Sequence, residues 1–171
     1  MHIVIMEKVS IEDIYDSLVQ KCVFVISIDD SGKPSGMVAG WNTLCSIEPP
    51  LYAVSISRNK YTHNLISKSK EFVIAIPNKE LEKELILFGS MHGDEIDKFE
   101  ESKLETENAE FVKSPLIKNA TMNFECKLVK ETDVGHHTIF IGEILASHIN
   151  KGKKSLVTKR DSDGSRLFKE F

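Results

Sequence analysis

Cysteine is scarce in this chain and unpatterned. Cys22, Cys45 and Cys126 stand far apart with no Cys-x-x-Cys pair, which argues against a zinc knuckle and against a dithiol redox motif. Their odd number suits a reducing compartment. Long apolar runs are missing too: nothing approaches the ~18 consecutive apolar residues of a membrane span. The opening MHIVIMEKVS has too short an apolar stretch for a secretory signal, and Glu7 follows it. A cytoplasmic protein is expected. There is no excess of positive charge, since 22 basic side chains face 26 acidic ones for a net charge of -4. Neither nucleic acid nor an anionic membrane is therefore an expected partner. The phosphate cradles of the common nucleotide folds are absent as well: no G-x-G-x-x-G opens a helix, and no G-x-x-x-x-G-K-[ST] occurs. Any nucleotide must be held another way. No repeat, low-complexity segment or interdomain linker interrupts the 171 residues, so a single domain over 1–171 is expected, burying roughly two-thirds of its unfolded surface.

What is present reads mostly as strand. Ser10 can cap a short helix with Ile11, Ile14, Tyr15 and Leu18 on one face and Glu12 and Asp13 in its first turn. CVFVISI (22–28) is a continuous apolar run of strand length ending at the turn signal DDSGKPSG. MVAGWN returns as a second strand and LYAVSIS (51–57) forms a third, with Pro49 and Pro50 just before it. YTHNLISKSK predicts a turn or two of helix with Thr62 as its N-cap, and EFVIAI predicts the next strand. Two short helices follow over the acidic stretch 79–110, broken at Gly89 to Gly93, with Leu81, Leu85, Ile86, Ile96 and Phe99 facing inward. MNFECKLV alternates as a strand, and TIFIGEILASHI (138–149) is a long strand after the TDVGHH turn. Strands in this order with two helical inserts suit a small barrel and not a βαβ sheet.

Two local features invite a ligand. Residues 40–57, GWNTLCSIEPPLYAVSIS, interleave apolar side chains with Asn42, Thr43, Ser46, Ser55 and Ser57 and carry almost no charge. Immediately after them, Thr62 with the backbone amides of His63 and Asn64 would make a compact anion site at a helix N-terminus, with Arg58 and Lys60 close in sequence. On spacing alone Thr62 is more often only a cap.

The series MVAGWNTLCSIEPPLYAVSISRNKYTHNLISKSKEFVIAIP, GSMHGDEIDKF, SPLIKNATMNFECKL and VGHHTIFIGEI resembles the flavin reductase-like family, and within it the flavoredoxin branch. The four blocks come in the family's order and cover nearly the whole chain. The resemblance implies a mainly β fold with short helices, the FMN-binding split β-barrel, working as a homodimer with FMN in a groove at the subunit boundary. The small polar groups of residues 37–46, among them Asn42, Thr43 and Ser46, would then meet the polar edge of the flavin ring, and Ser57 continues that surface toward Arg58 and the phosphate. Trp41 falls where the branch places an aromatic beside the ring. Thr62 and Asn64 match the family's phosphate-side "T-h-n" stretch. Lys98 matches a lysine that reaches the flavin or its phosphate, though it could equally pair with Asp94 or Asp97. His137 matches the histidine of the "G-D-H-x-x-F-x-G-E-V" element, with His136 standing where Asp is usual; two adjacent histidines discourage a positive charge on either. A metal reading of the pair is poor, because adjacent strand residues point to opposite faces. The tail GSRLFKEF resembles one that brings an aromatic back over the flavin, with Phe168 chosen and Phe171 as the alternative.

The resemblance implies an oxidoreductase in which no side chain need be catalytic, because the flavin carries the chemistry. NADH or NADPH is a possible substrate, and a redox partner protein a possible exchange partner. Two alternatives stay open: a flavoredoxin-type carrier with little nicotinamide activity, and a flavin-binding module without a redox role. No nicotinamide-specificity motif is evident: a 2′-phosphate pocket would want clustered arginines, and only Arg58, Arg160 and Arg166 exist.

Overall fold

The computed structural model describes residues 6–11, 14, 17–160 and 165–171. The helix expected over 10–18 falls partly on residues 12, 13, 15 and 16, and Gly164 of the tail motif also lies outside the described residues. The element order is β1 (Val23–Ile28), β2 (Pro34–Ala39), β3 (Asn42–Ile47), β4 (Pro50–Ser57), α1 (Tyr61–Ser69), β5 (Glu71–Ile76), a 3-10 turn (Lys79–Leu81), α2 (Glu82–Ser90), α3 (Lys98–Ser102), β6 (Thr106–Glu107), β7 (Leu116–Ile117), β8 (Met122–Val134), β9 (His137–Ile149), β10 (Leu156–Arg160) and β11 (Arg166–Glu170).

Seven strands form one antiparallel sheet in the order β2-β1-β5-β8-β9-β4-β3. Its two edges, β2 and β3, are consecutive in the chain and separated only by Gly40 and Trp41. Six strand spacings would put the edges of a flat sheet ~29 Å apart. Three Cα steps reach only ~11 Å. The sheet must therefore curl until its edges nearly meet, a barrel left split between β2 and β3. The expected strand MVAGWN is thus divided: it ends at Ala39, and residues 42–47 form a separate edge strand paired with β4.

Burial follows from this curl. On β1 and β5 every second side chain, Val23, Val25, Phe72 and Ile74, fills the barrel interior with Tyr52, Val54, Ile56, Cys126 and Phe140. The intervening Phe24, Ile26, Val73 and Ala75 pack outward against Leu81, Leu85 and Phe88 and the 104–120 segment. That is why VFVISI reads as an unbroken apolar run: both its faces are covered. The close approach of strands inside the barrel leaves no room at Gly142, where a Cβ would sit 2.6 Å from Phe72 Cζ and 2.8 Å from Cys126 Cβ.

Polar side chains on the sheet's outer face hold the 108–117 segment. Glu125, fully buried, accepts from the backbone N–H groups of Glu110, Phe111 and Val112 and pairs with His148 at 2.8 Å. Burial pushes its carboxyl up, but the Phe111 and Glu110 amides and His148 outweigh that and hold it below the usual range. Glu71 accepts from Lys113 and Ser114 N–H, and Asn123 bonds both backbone groups of Ile117. Two local expectations differ. Ile86 faces solvent and not the core, being 52% exposed, because Leu85 and Phe88 form the inward face of α2. The N-cap of α1 is Lys60, so Thr62 is the helix's second residue.

Candidate functional site

The split edge opens onto a groove of about 760 Å³, within the roughly 300–1,000 Å³ range of small-molecule and cofactor sites. One wall is the end of β2 with its connection, Met37 to Trp41; another is the outer face of β4, Ser55 and Ser57; His136 and His137 also line it, and Gln20, Lys60 and Arg166 supply the remaining polar groups. Alternation along β4 explains the two serines. Tyr52, Val54 and Ile56 point into the barrel, so Ser55 and Ser57 must face out. The backbone N–H of Ser55 also donates to the Trp41 carbonyl at 2.9 Å, which pins the crossover against β4. The Trp41 ring, 44% exposed, lies 4.9 Å from the ring of His137.

A smaller cleft of about 90 Å³ adjoins the groove, sharing Met37, Val38 and Lys60 with it. It is lined also by Thr62 at the start of α1 and by Lys98. Lys98 is only 3% exposed, and its ammonium donates to the carbonyls of Gly36 at 3.0 Å and Phe88 at 2.9 Å. Burial, helped by the charge of Lys60 and opposed by Asp94, pushes it down to about 8. The acidic neighbour Asp97 is engaged elsewhere, capping α3 and pairing with Lys33 at 2.8 Å. A buried cation without a carboxylate partner, beside a second lysine and a helix N-terminus, is an arrangement that an anion would stabilise.

The structure thus brings Trp41, Ser57 and His137 together in the groove and Thr62 and Lys98 in the adjoining cleft. The other predicted residues lie outside both. Asn42 is committed to structure: its amide donates to the carbonyls of Lys21 and Ala39, and its carbonyl oxygen accepts from the Tyr52 hydroxyl at 2.6 Å. Thr43 and Ser46 sit on the edge strand β3 away from the groove. Arg58 donates to the Gly135 carbonyl at 2.7 Å and pairs with Asp133 at 3.8 Å. Asn64 faces a separate depression with Asp29 and Asp30. Phe168 packs against the outer core cluster instead of the groove, and Phe171 is 67% exposed.

The histidines also differ from expectation. His136 belongs to the Gly135–His136 turn and not to a strand, so both rings line the groove, 4.3 Å apart, instead of pointing to opposite faces. Burial first, then the proximity of His136 and Arg58, pushes His137 below its ordinary value and keeps it neutral at pH 7. Among the described residues no group of three or more His, Cys, Asp or Glu could hold a metal ion. Behind the groove, Thr138 gives its hydroxyl proton to Asp133 at 2.6 Å and so accepts from His63 Nε2 at 2.9 Å, which fixes the proton of His63 on Nε2.

Sequence reasoning missed Gln20, treated His136 only as the neighbour of His137, noted Lys60 only as close in sequence to the anion site, and gave Arg166 no role. Only the pairing of Ser55 with Ser57 at i, i+2 was there to be read in advance. Among the described residues no carboxylate lines the groove.

Residues 16–164 match the model of the flavin reductase like domain, and the chain belongs to that family. A protein of Archaeoglobus fulgidus is 41% identical over 70% of this chain and 67% of its own length. A protein of Pyrococcus abyssi is 36% identical over 64% of this chain and 63% of its own. The chain therefore spans about two thirds of these two relatives. A ferric-chelate reductase (NAD(P)H) of A. fulgidus is 28% identical over 78% of this chain and 79% of its own. Among solved structures, the flavoredoxin of Desulfovibrio vulgaris superposes with a TM-score of 0.80 at 24% identity, covering 91% of this chain and 88% of that one. The NADH:FAD oxidoreductase of Streptomyces globisporus gives 0.82 at 22%, covering 97% and 98%. At these identities the two structures speak to the fold, the split barrel. Among the described residues no helix is long and apolar enough to cross a membrane.

Proposed function

We propose that this flavin reductase-like protein binds FMN across the groove and cleft and works as an oxidoreductase, passing electrons from NADH, NADPH or a reduced partner protein to an acceptor. The observation that carries the reading is the division of the site by chemistry. The groove offers an aromatic ring, apolar Met37 and Val38, and neutral hydroxyls, which fit a flat heteroaromatic ring system with a polar edge. The adjoining cleft offers Lys60, Lys98 and the N-terminus of α1, which fit a phosphate. The donor set therefore fits the mononucleotide. FMN would supply two-electron and one-electron chemistry. The chain's own residues would do the rest. Trp41 supports the ring, Ser55 and Ser57 supply hydrogen bonds, Lys98 and Thr62 hold the phosphate side, and neutral His137 bounds the space left for a substrate.

The name of the A. fulgidus ferric-chelate reductase favours a nicotinamide-dependent enzyme; that of the flavoredoxin favours the second reading, an electron carrier with little nicotinamide activity of its own. A homodimer belongs to the same proposal. Edge strand β3 leaves Leu44 59% and Ile47 91% exposed, an unpaired apolar edge that a second copy would cover.

The test is gel filtration after incubation with FMN or FAD, followed by visible absorbance. Flavin bands eluting with protein at twice the monomer mass, with FMN retained better than FAD, are expected; protein that elutes colourless from both would end the reading. Oxidation of NADH and NADPH by the loaded protein then separates enzyme from carrier.

A further inference from the structure

The groove has two cationic ends, and a mononucleotide needs only one. At the first end lies the Lys60, Thr62 and Lys98 cleft. At the second, the groove shares Gln20 and Arg166 with another small hollow, lined also by Thr158, Lys159 and Arg160. The two hollows have no lining residue in common, so they mark different ends of the groove. Arg166 is poorly used by the fold. Among the described residues it forms no ion pair, and its one hydrogen bond there goes to the Sγ of Cys22 at 3.5 Å. A buried neutral thiol is a weak acceptor. Burial keeps that thiol neutral by pushing it up, against the influence of Arg166 itself. Most of the five N–H donors of the guanidinium are left for something else.

Its surroundings are arranged for the same purpose. The Gln20 side chain lies flat over Gly40, where an added Cβ would come within 2.3 Å of its Oε1. Glycine at 40 lets this amide reach the groove. The backbone of Gln20 is tied to Thr158 by two hydrogen bonds of 2.8 Å, so the amide and the β10–β11 hairpin are held together. Thr158 Oγ1 is buried, has no hydrogen-bond partner among the described residues and belongs to a residue that lines the same hollow. Arg160 stands directly opposite Arg166 in the hairpin register. Two of the chain's three arginines, Arg160 and Arg166, line this hollow.

We infer that Arg166, with the Gln20 amide, docks an anionic group of the second substrate, the small molecule that exchanges electrons with the flavin. This rests on the FMN reading given above. The shared chemistry is a planar or tetrahedral oxyanion taken by a guanidinium fork, and it has two sources: a phosphate of a nicotinamide dinucleotide, or a carboxylate of a metal chelate. Arg166 is a specificity-determining residue in either case, and the flavin's own phosphate does not use it.

The experiment is isothermal titration of the FMN-loaded protein with NADP+ and, separately, with ferric citrate, for the parent, Arg166→Gln and Arg166→Lys. FMN affinity of each variant is measured in parallel by fluorescence. Arg166→Gln is expected to weaken one probe by roughly 10- to 100-fold, the range for losing a hydrogen bond to a charged group, with FMN affinity changed less than twofold. Arg166→Lys restores part of the loss, because it keeps the charge without the fork, and it shows that the effect is not misfolding. Weakening of NADP+ assigns the dinucleotide; weakening of ferric citrate assigns the chelate. The inference is overturned if neither probe binds the parent, if both bind the variant as well as the parent, or if FMN affinity falls in step, which would put the flavin phosphate on Arg166. A parent protein that takes up no FMN sinks the flavin reading instead, and is recognised before any probe is added.

Discussion

Lys98→Met separates a lysine kept for a ligand from one kept for the fold. At neutral pH the protein holds this ammonium nearly out of water, and the shift from 10.5 to about 8 corresponds to a cost on the order of 3 kcal/mol at 1.36 kcal/mol per unit. The sign follows from proton linkage. Between pH about 8 and 10.5 the unfolded chain keeps this proton and the folded one releases it, so stability contributed by this group rises with pH in that window. Methionine removes the cost but leaves the carbonyls of Gly36 and Phe88 without their donor, at about 1–3 kcal/mol each if no water replaces it. The two effects largely offset, and urea unfolding should move by no more than about 3 kcal/mol. FMN affinity has no such offset and should fall roughly 10- to 150-fold, the equivalent of 1.5–3 kcal/mol for a charge-assisted hydrogen bond. Fluorescence titration across pH adds a second signature: affinity in the parent is level below pH 8 and weakens above it, while the variant shows neither limb. An intact FMN affinity together with a large loss of stability would make Lys98 an internal tether and refute this reasoning.

Thr62→Val should weaken FMN by about 1–3 kcal/mol while leaving α1 in place, since Lys60 and not Thr62 occupies the N-cap; an unaltered fluorescence titration would place the phosphate elsewhere. Glu125→Gln, which puts an amide opposite three backbone N–H donors, should cost about 2 kcal/mol in urea at pH 7. The lowered carboxyl gives the sign in acid: its contribution is complete above the unfolded-state value and is lost as pH falls through the folded one, so the variant's stability should fall less steeply below pH 4, and parallel acid limbs would count against it. Gly142→Ala should destabilise by about 1–3 kcal/mol, because its methyl overlaps Phe72 and Cys126; a melting temperature equal to the parent's would mean that the barrel interior yields more easily than its packing suggests.

The fold was legible wherever one residue's neighbours in sequence decide its environment. VFVISI read as a strand from its apolar run and LYAVSIS as one whose apolar residues interleave with serines, because strand periodicity is a local property. The break at Gly40 was not legible. MVAGWN has the composition of one strand, and only the curl of the whole sheet requires the chain to leave one edge there and join the other. The site divided along the same line. Trp41, Ser57 and His137 could be found because they sit on the crossover or on the outward face of a strand. Asn42 has the same chemistry as its neighbours, but the buried hydroxyl of Tyr52, ten residues away, claims its carbonyl oxygen. Phe168 was misread because an aromatic near the terminus can turn to either side of its hairpin, and the outer core cluster around Phe24 and Leu85 had a place for it. Its i−2 neighbour Arg166 shares that face and reaches the groove, a result of docking the hairpin through Gln20 and Thr158 that no local pattern encodes.

The same geometry accounts for the electrostatics of the site. A sheet of seven strands with its edges joined by two residues must leave its two edge strands unpaired on one side, and whatever lies there faces water unless something covers it. Among the described residues no carboxylate blunts this opening. Asp133 is turned to Arg58, Asp97 to Lys33, and Glu71 and Glu125 to backbone amides. Each of these acids has a partner elsewhere, and among the described residues Lys60, Lys98 and Arg166 form no ion pair with a carboxylate. For a protein of net charge -4, long-range attraction to anions is absent, so recognition of a phosphate must come from this short-range, desolvated arrangement. Added salt should therefore weaken FMN binding only slightly, since a buried pair is poorly screened, whereas an anion held at the exposed Arg166 should be lost more readily. That difference in salt sensitivity between the two ends of one groove is measurable in the same titrations, and equal sensitivity at both would mean that the cleft around Lys98 is not where the phosphate sits.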